Sequence, residues 1–175
     1  MRVLGSEATE FMKVCVLGDR EFPVVQASLD VAAAKGATLV DRLEDADVAI
    51  APRLTEKLTP AEIAKPKLGV LIFHPSLLPR HRGRDAIKWA FKAGETYTGA
   101  TWFWADEGLD TGDICEQEAL AIVPGERPRE FYDRAVVPAA IRMLGYIIDD
   151  LSRGCVRRRP QQHENSTFEL GIPKS

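Results

Sequence analysis

Residues 68–83, LGVLIFHPSLLPRHRG, constrain this chain more than any other stretch. Leu68 to Phe73 is an uninterrupted apolar run of the length of a strand buried on both faces, and Pro75 cannot continue a central ladder. His74 therefore stands at the carboxyl end of a central strand. In open α/β sheets that edge binds ligands, because the loops leaving the strands splay apart there. Side chains alternate along a strand, so Ile72 and His74 share a face. A second run, Gly99 to Ala105 (GATWFWA), reads as another buried strand and leads into Asp106, Glu107, Gly108, Leu109 and Asp110. A helix from Asp85 to Gly94, with Ile87, Ala90 and Phe91 turned inward and Asp85 as its cap, joins the two as a right-handed crossover. A parallel pair of this kind ends together and brings the Asp110 loop beside His74.

The flanking sequence alternates strands and helices. KVCVLG (residues 13–18) is a first strand, and a helix runs from Pro23 to Lys35 before Gly36 stops it. Short strands follow near Thr38 to Val40 and Val48 to Ala51, then a helix over Pro60 to Ala64. Beyond the second long run a strand is expected over Leu120 to Val123. Helical spacing then runs from Arg127 to Arg153, with Pro138 marking a kink or a second helix. This order predicts a doubly wound, mostly parallel open α/β sheet. At 175 residues, 45% of them hydrophobic, the chain suits one domain with a substantial core over residues 12–175. Residues 1–11 lack periodicity and read as a disordered extension.

Charge and cysteine usage narrow the function classes. A net charge of −3 gives no bulk drive toward nucleic acid or an acidic membrane. Arg157, Arg158 and Arg159 lack interleaved aromatics and read as a solvated edge. Three cysteines without a C-x-x-C argue for reduced thiols and a cytoplasmic setting. No apolar run approaches the ~20 residues needed to span a bilayer. Gly18 stands alone in the first strand-to-helix turn, without the repeated glycines that wrap a phosphate. The acidic cluster Asp106, Glu107, Asp110, Asp113 matches neither a calcium loop nor a zinc site, and no metal is expected.

HPSLLPRHRG followed by GATWFWADEGLDTGDI resembles the folate-dependent formyltransferases, and most closely the hydrolase domain of 10-formyltetrahydrofolate dehydrogenase. The polar ending QQHENSTFELG is similar to that family's Gln-rich, Thr-aromatic close. The resemblance implies a Rossmann-like sheet with an abbreviated amino-terminal half, since relatives spend more chain before the HPSLLP strand. It implies 10-formyltetrahydrofolate as co-substrate, with transfer of its formyl group to an amine or hydrolysis to tetrahydrofolate and formate. Such chemistry passes through a tetrahedral oxyanion and needs a hydrogen-bond donor and a proton acceptor. By resemblance these are His74 and Asp110. Ile72 stands where most formyltransferases carry an asparagine. The folate is expected against Leu58, Ile63, Ala105, Asp106, Glu107 and Gly108, with Ser76 and Leu77 on the acceptor side. The expected partners are a small-molecule acceptor and a reduced folate; self-association as a homodimer is compatible with the sequence. The rival reading is a folate-binding module without catalysis, motivated by Ile72 and the short amino-terminal half.

Overall fold

A computed structural model describes residues 11–168, so all but the last residue of the expected extension lies outside them. Six strands form one sheet: β1 (Lys13–Val16), β2 (Thr38–Leu39), β3 (Val48–Ala51), β4 (Val70–His74), β5 (Tyr97–Trp104) and β6 (Ile114–Ala121), in spatial order β2-β1-β3-β4-β5-β6. The first four pair in parallel; β4–β5 and β5–β6 are antiparallel. The helices are α1 (Pro23–Ala34), α2 (Pro60–Ile63), α3 (Ala86–Lys92), α4 (Pro128–Phe131) and α5 (Val137–Ser152). The expected fold class, an open and mostly parallel α/β sheet, is the one observed.

The expected parallel pairing of the two long runs is not observed. Leu71 lies opposite Trp104, and His74 opposite Thr101, so β5 enters the sheet at the His74 end and leaves at the far end. A parallel crossover must carry the chain back along the strand it left. The seven residues of α3 span about 10 Å at 1.5 Å each, short of the roughly 17 Å of a five-residue strand such as β4. Leu77 instead packs on the backbone of Gly99, where an added Cβ would stand 2.4 Å from it. Asp110 reaches His74 by another route: the loop 105–113 folds back over the sheet. Its stems close tightly, with Ala105 N–H donating to Val70 O (2.8 Å) and Trp104 N–H to Asp113 O (2.8 Å). A Cβ on Gly112 would stand 1.7 Å from the Trp104 carbonyl oxygen, so only glycine fits that closure.

One face of the sheet packs on α1 and α5. Val14, Val48, Ile50, Leu71, Phe73, Trp102 and Trp104 meet Ala140, Met143, Leu144, Ile147 and Ile148 of α5 in one cluster. The Trp102 indole N–H donates to the Ala140 carbonyl at 2.9 Å, and its ring centroid lies 5.3 Å from that of Phe73. The opposite face carries small residues, Cys15, Ala49, Ala51 and Val70, covered by loop residues Leu54, Leu58 and Ala105. All three cysteines are free thiols; burial pushes Cys115 up to about 12 and raises Cys15 as well, while Cys155 is exposed.

Three local expectations are corrected and one is met. Asp85 does not cap α3 with its side chain; it takes φ +61° and pairs with Lys88 at 3.0 Å. The last strand is β6, eight residues beginning at Ile114, hidden in the sequence because Glu116, Gln117 and Glu118 interrupt its apolar pattern. At Pro138 the expectation of a second helix is met: α4 and a widened π-helical turn over Tyr132–Val136 precede α5, which starts at Val137 with Pro138 in its first turn. Proline has no N–H to keep the α-helical ladder in step there. The arginine run is exposed at Arg158 and Arg159, yet it is more than a solvated edge. Arg157 pairs with Glu116 and with Asp150, Arg158 donates to Leu68 O (2.8 Å) over the Trp104 ring, and Arg159 exchanges backbone hydrogen bonds with Ile114. These contacts fasten the carboxyl-terminal segment across the sheet edge.

Candidate active site

His74 ends β4 and is 6% exposed. Its Nε2 lies 2.7 Å from the His81 carbonyl oxygen. A carbonyl can only accept, so Nε2 carries a hydrogen there and Nδ1 is left to face Asp110, 3.5 Å from Oδ2. That spacing is long for a direct hydrogen bond and suits a pair that tightens around a reacting group. Asp110 sits at the loop tip with φ +54°, a conformation uncommon for a residue with a side chain. Its Oδ2 accepts the Gly83 N–H at 2.7 Å. The residue between His81 and Gly83 is Arg82, 8% exposed, whose Nη2 donates to Gln161 Oε1 (2.7 Å) and meets His163 Nδ1 (2.8 Å). Burial lowers the Arg82 pKa, partly offset by attraction to Asp110 and Asp106.

Both His74 and Asp110 open onto a cavity of about 640 Å³. Ile72 lines it beside His74, as a shared face requires, and Leu58, Ile63, Ala105, Asp106 and Gly108 line it too. Asp106 shapes that wall by accepting from Gly108 N–H (3.0 Å) and the Thr111 hydroxyl (2.6 Å). Glu107 is not part of the lining; its backbone carbonyl accepts from Lys57 Nζ at 2.7 Å, which ties the 105–113 loop to the segment before α2. Ser76 and Leu77 lie away from the cavity. Ser76 is fully buried with its hydroxyl donating to Arg80 O (2.6 Å), and Leu77 faces Gly99.

The sequence reading passed over other residues of the wall. Arg53, stacked 3.6 Å over the Phe22 ring, and Arg129 and Tyr132 from the α4 region all line the cavity. Burial is the main cause that raises the Tyr132 phenol pKa, against the pull of the nearby arginines. No motif marks these positions, because they converge from separate elements.

The family model described as Formyl transferase matches residues 22–144. The chain belongs to the formyl transferase family. That match spans α1 to the middle of α5 and includes His74, Asp110 and every residue that lines the cavity. Cytosolic 10-formyltetrahydrofolate dehydrogenase of Mus musculus is 38% identical over 129 residues, which cover 74% of this chain but only 14% of that protein. This formyl transferase chain therefore spans a small part of such relatives. Among solved structures, HypX from Aquifex aeolicus in complex with tetrahydrofolic acid superposes with TM-score 0.82 at 21% identity, over 94% of this chain and 30% of that one. The formyltransferase PseJ from Anoxybacillus kamchatkensis, in complex with a formamido sugar nucleotide and tetrahydrofolate, gives TM-score 0.77 at 20% identity over 91% of this chain and 86% of its own. At those identities the likeness establishes the formyl transferase fold.

Proposed function

We propose that this domain takes 10-formyltetrahydrofolate into the cavity and removes its formyl group, delivering it to an amine or to water, with His74 and Asp110 handling the protons. The observation that carries the reading is the pairing of buried His74 with half-buried Asp110, 3.5 Å apart on the wall of one cavity. At about 640 Å³ the cavity is of the size that holds small molecules, whose sites run ~300–1,000 Å³. As a nucleophile attacks the formyl carbon, a tetrahedral oxyanion forms; His74 acts as the imidazolium, with Nε2–H kept on the His81 carbonyl and Nδ1–H donated to that oxygen, and Asp110 takes the nucleophile's proton. The pair then returns a proton to the departing folate nitrogen.

Ile72 favours water as the acceptor. It lines the cavity beside His74 at the family's asparagine position, so the second oxyanion donor expected of a fast amine transferase is a hydrocarbon here. The similarity to 10-formyltetrahydrofolate dehydrogenases supports the same choice. The three unpaired thiols fit a reducing cytoplasm. Among the described residues no helix is long and apolar enough to cross a membrane.

Calorimetric titration with 5-formyltetrahydrofolate, a stable isomer of the donor, should give saturable binding, and purified protein should release tetrahydrofolate from the 10-formyl compound. Release that is unchanged by added amines identifies water as acceptor. Release that rises with one amine class identifies the transferase. Binding without release at any pH would leave a folate-binding module, and absence of binding at millimolar ligand would remove the folate reading altogether.

A further inference from the structure

We propose that Gln161, in the carboxyl-terminal segment, is the positioning residue that sets Asp110 against His74; this rests on the reading of Asp110 as the proton acceptor. Gln161 is 5% exposed and spends its whole carboxamide on this site. Nε2 donates to Asp110 O (3.0 Å) and to Gly112 O (2.7 Å), and Oε1 accepts from Arg82 Nη2 (2.7 Å). Its two donors thus hold the carbonyls on either side of Thr111. A loop tip held at φ +54° costs free energy and persists only where the surroundings over-determine it. Gln161 supplies that determination from one side, and the Gly83 N–H bond to Asp110 Oδ2 supplies it from the other.

The contacts close on themselves. Arg82, which Gln161 holds, is flanked by the two residues that orient the catalytic pair: the His81 carbonyl accepts from His74 Nε2, and the Gly83 amide donates to Asp110. One buried carboxamide therefore fixes the Asp110 loop directly and the His81–Gly83 segment through Arg82. The same tail meets this segment once more, since Thr167 Oγ1 accepts from His81 N–H (2.8 Å) and Thr167 O from Arg82 N–H (2.9 Å). A glutamine serving only to anchor the tail needs no bond to the Asp110 loop. Gln161 makes two.

The distinction is testable with Gln161→Glu, which keeps an oxygen for Arg82 but replaces both donors with an acceptor facing two carbonyls. Amide hydrogen exchange by NMR on the full chain should show Gly83 exchanging faster, because its acceptor Asp110 has moved. The His81 and Arg82 amides, bonded to Thr167, should keep their protection. Turnover of 10-formyltetrahydrofolate should fall by as much as the ~10²-fold that a 1 Å misplacement can cost, as a loss in kcat with folate KM nearly unchanged. Gln161→Leu should reproduce the Gly83 effect while loosening the tail as well. Unchanged Gly83 exchange in Gln161→Glu would overturn the proposal, as would His81 and Arg82 losing protection in step with Gly83, which would make Gln161 a tail anchor alone. Should wild-type protein prove inactive, the functional reading fails, yet the exchange data still decide whether Gln161 holds Asp110.

Discussion

Strand β4 belongs to two different environments on alternate residues. Leu71 and Phe73 point into the cluster with Trp102, Trp104 and α5, where large side chains are buried against helices. Ile72 and His74 point the other way, toward a face built from Cys15, Ala49 and Ala51 and covered by loops, α2 and the cavity. The size of the side chains separates the two faces. Large residues on the helical face exclude water and supply most of the hydrophobic stabilisation. Small residues on the loop face let backbone segments and a ligand-sized space lie close to the sheet. His74, on the second face, borrows rigidity from the first through a single strand, and the two faces should respond to mutation in opposite ways.

The largest effect expected is on the loop face and on rate alone. His74→Ala and Asp110→Ala should each lower deformylation by the ~10²–10⁴ that a positioned acid or base contributes. The double variant should be little worse than either, because both act on the same protons. Melting temperature should stay near wild type, measured by circular dichroism. A large drop in melting temperature for His74→Ala would break the division of labour between the faces.

Trp102→Ala tests the helical face. It should cost ~3–5 kcal/mol, the range for large aromatic truncations, because it removes the Phe73 ring contact and leaves the Ala140 carbonyl without its indole donor. Urea unfolding followed by fluorescence measures this, and kcat per folded molecule should be unchanged. A lower kcat in the folded population would mean that β4 transmits packing changes from Phe73 to its neighbour His74.

The same alternation explains what was legible in the sequence. β4 and the shared face of Ile72 and His74 could be read because a strand repeats every two residues and Pro75 ends it. The nearness of Asp110 to His74 was expected through a parallel pairing that the register excludes; family motifs located the residues while the connection through α3 was misjudged. β6 was half-missed because its polar residues are held by arginines from distant segments, Glu118 by Arg142 and Glu116 by Arg157. Gln161 stood in a stretch that resembles the family, but a carboxamide that holds two loop carbonyls leaves no periodic trace. Hydrophobic pattern encodes layers, and side-chain bonds between distant loops have to be seen in three dimensions.

Ile72→Asn sharpens the comparison at the boundary between the faces. Ile72 is half-buried, opposite Phe103 and beside His74. If the oxyanion forms there, the new amide should raise formyl transfer to amines by as much as the ~10²-fold that one donor is worth. If it finds no partner, it should cost ~1–3 kcal/mol of stability instead. Rate and melting temperature measured together separate the outcomes, and lost stability with unchanged rate would move the reaction centre away from His74.

The smallest effect expected concerns α2, the one-turn helix that belongs to the loop-covered face. Thr59 and Glu62 form a reciprocal cap: Thr59 N–H and its hydroxyl donate to Glu62 Oε2 (2.8 and 2.7 Å), and Glu62 N–H returns to Thr59 Oγ1 (3.3 Å). The turn they close holds Ile63 and follows Leu58, both on the cavity wall. Removing a cap costs about 1 kcal/mol, roughly a fivefold change in an equilibrium constant. Because no large core depends on α2, Thr59→Ala should appear as a few-fold weaker affinity for 5-formyltetrahydrofolate with little change in melting temperature or kcat. The bonds from Thr59 hold the Glu62 carboxyl below its ordinary value of 4.5. A lowered carboxylate stabilises the cap above the unfolded value and loses that contribution as pH falls through the folded one. Wild-type affinity should therefore weaken below about pH 4.5, and Thr59→Ala should show a shallower dependence over the same window. If Thr59→Ala instead lowers the melting temperature as much as Trp102→Ala does, the loop-covered face contributes to folding on the scale of the helical one, and the contrast between the two faces of β4 fails.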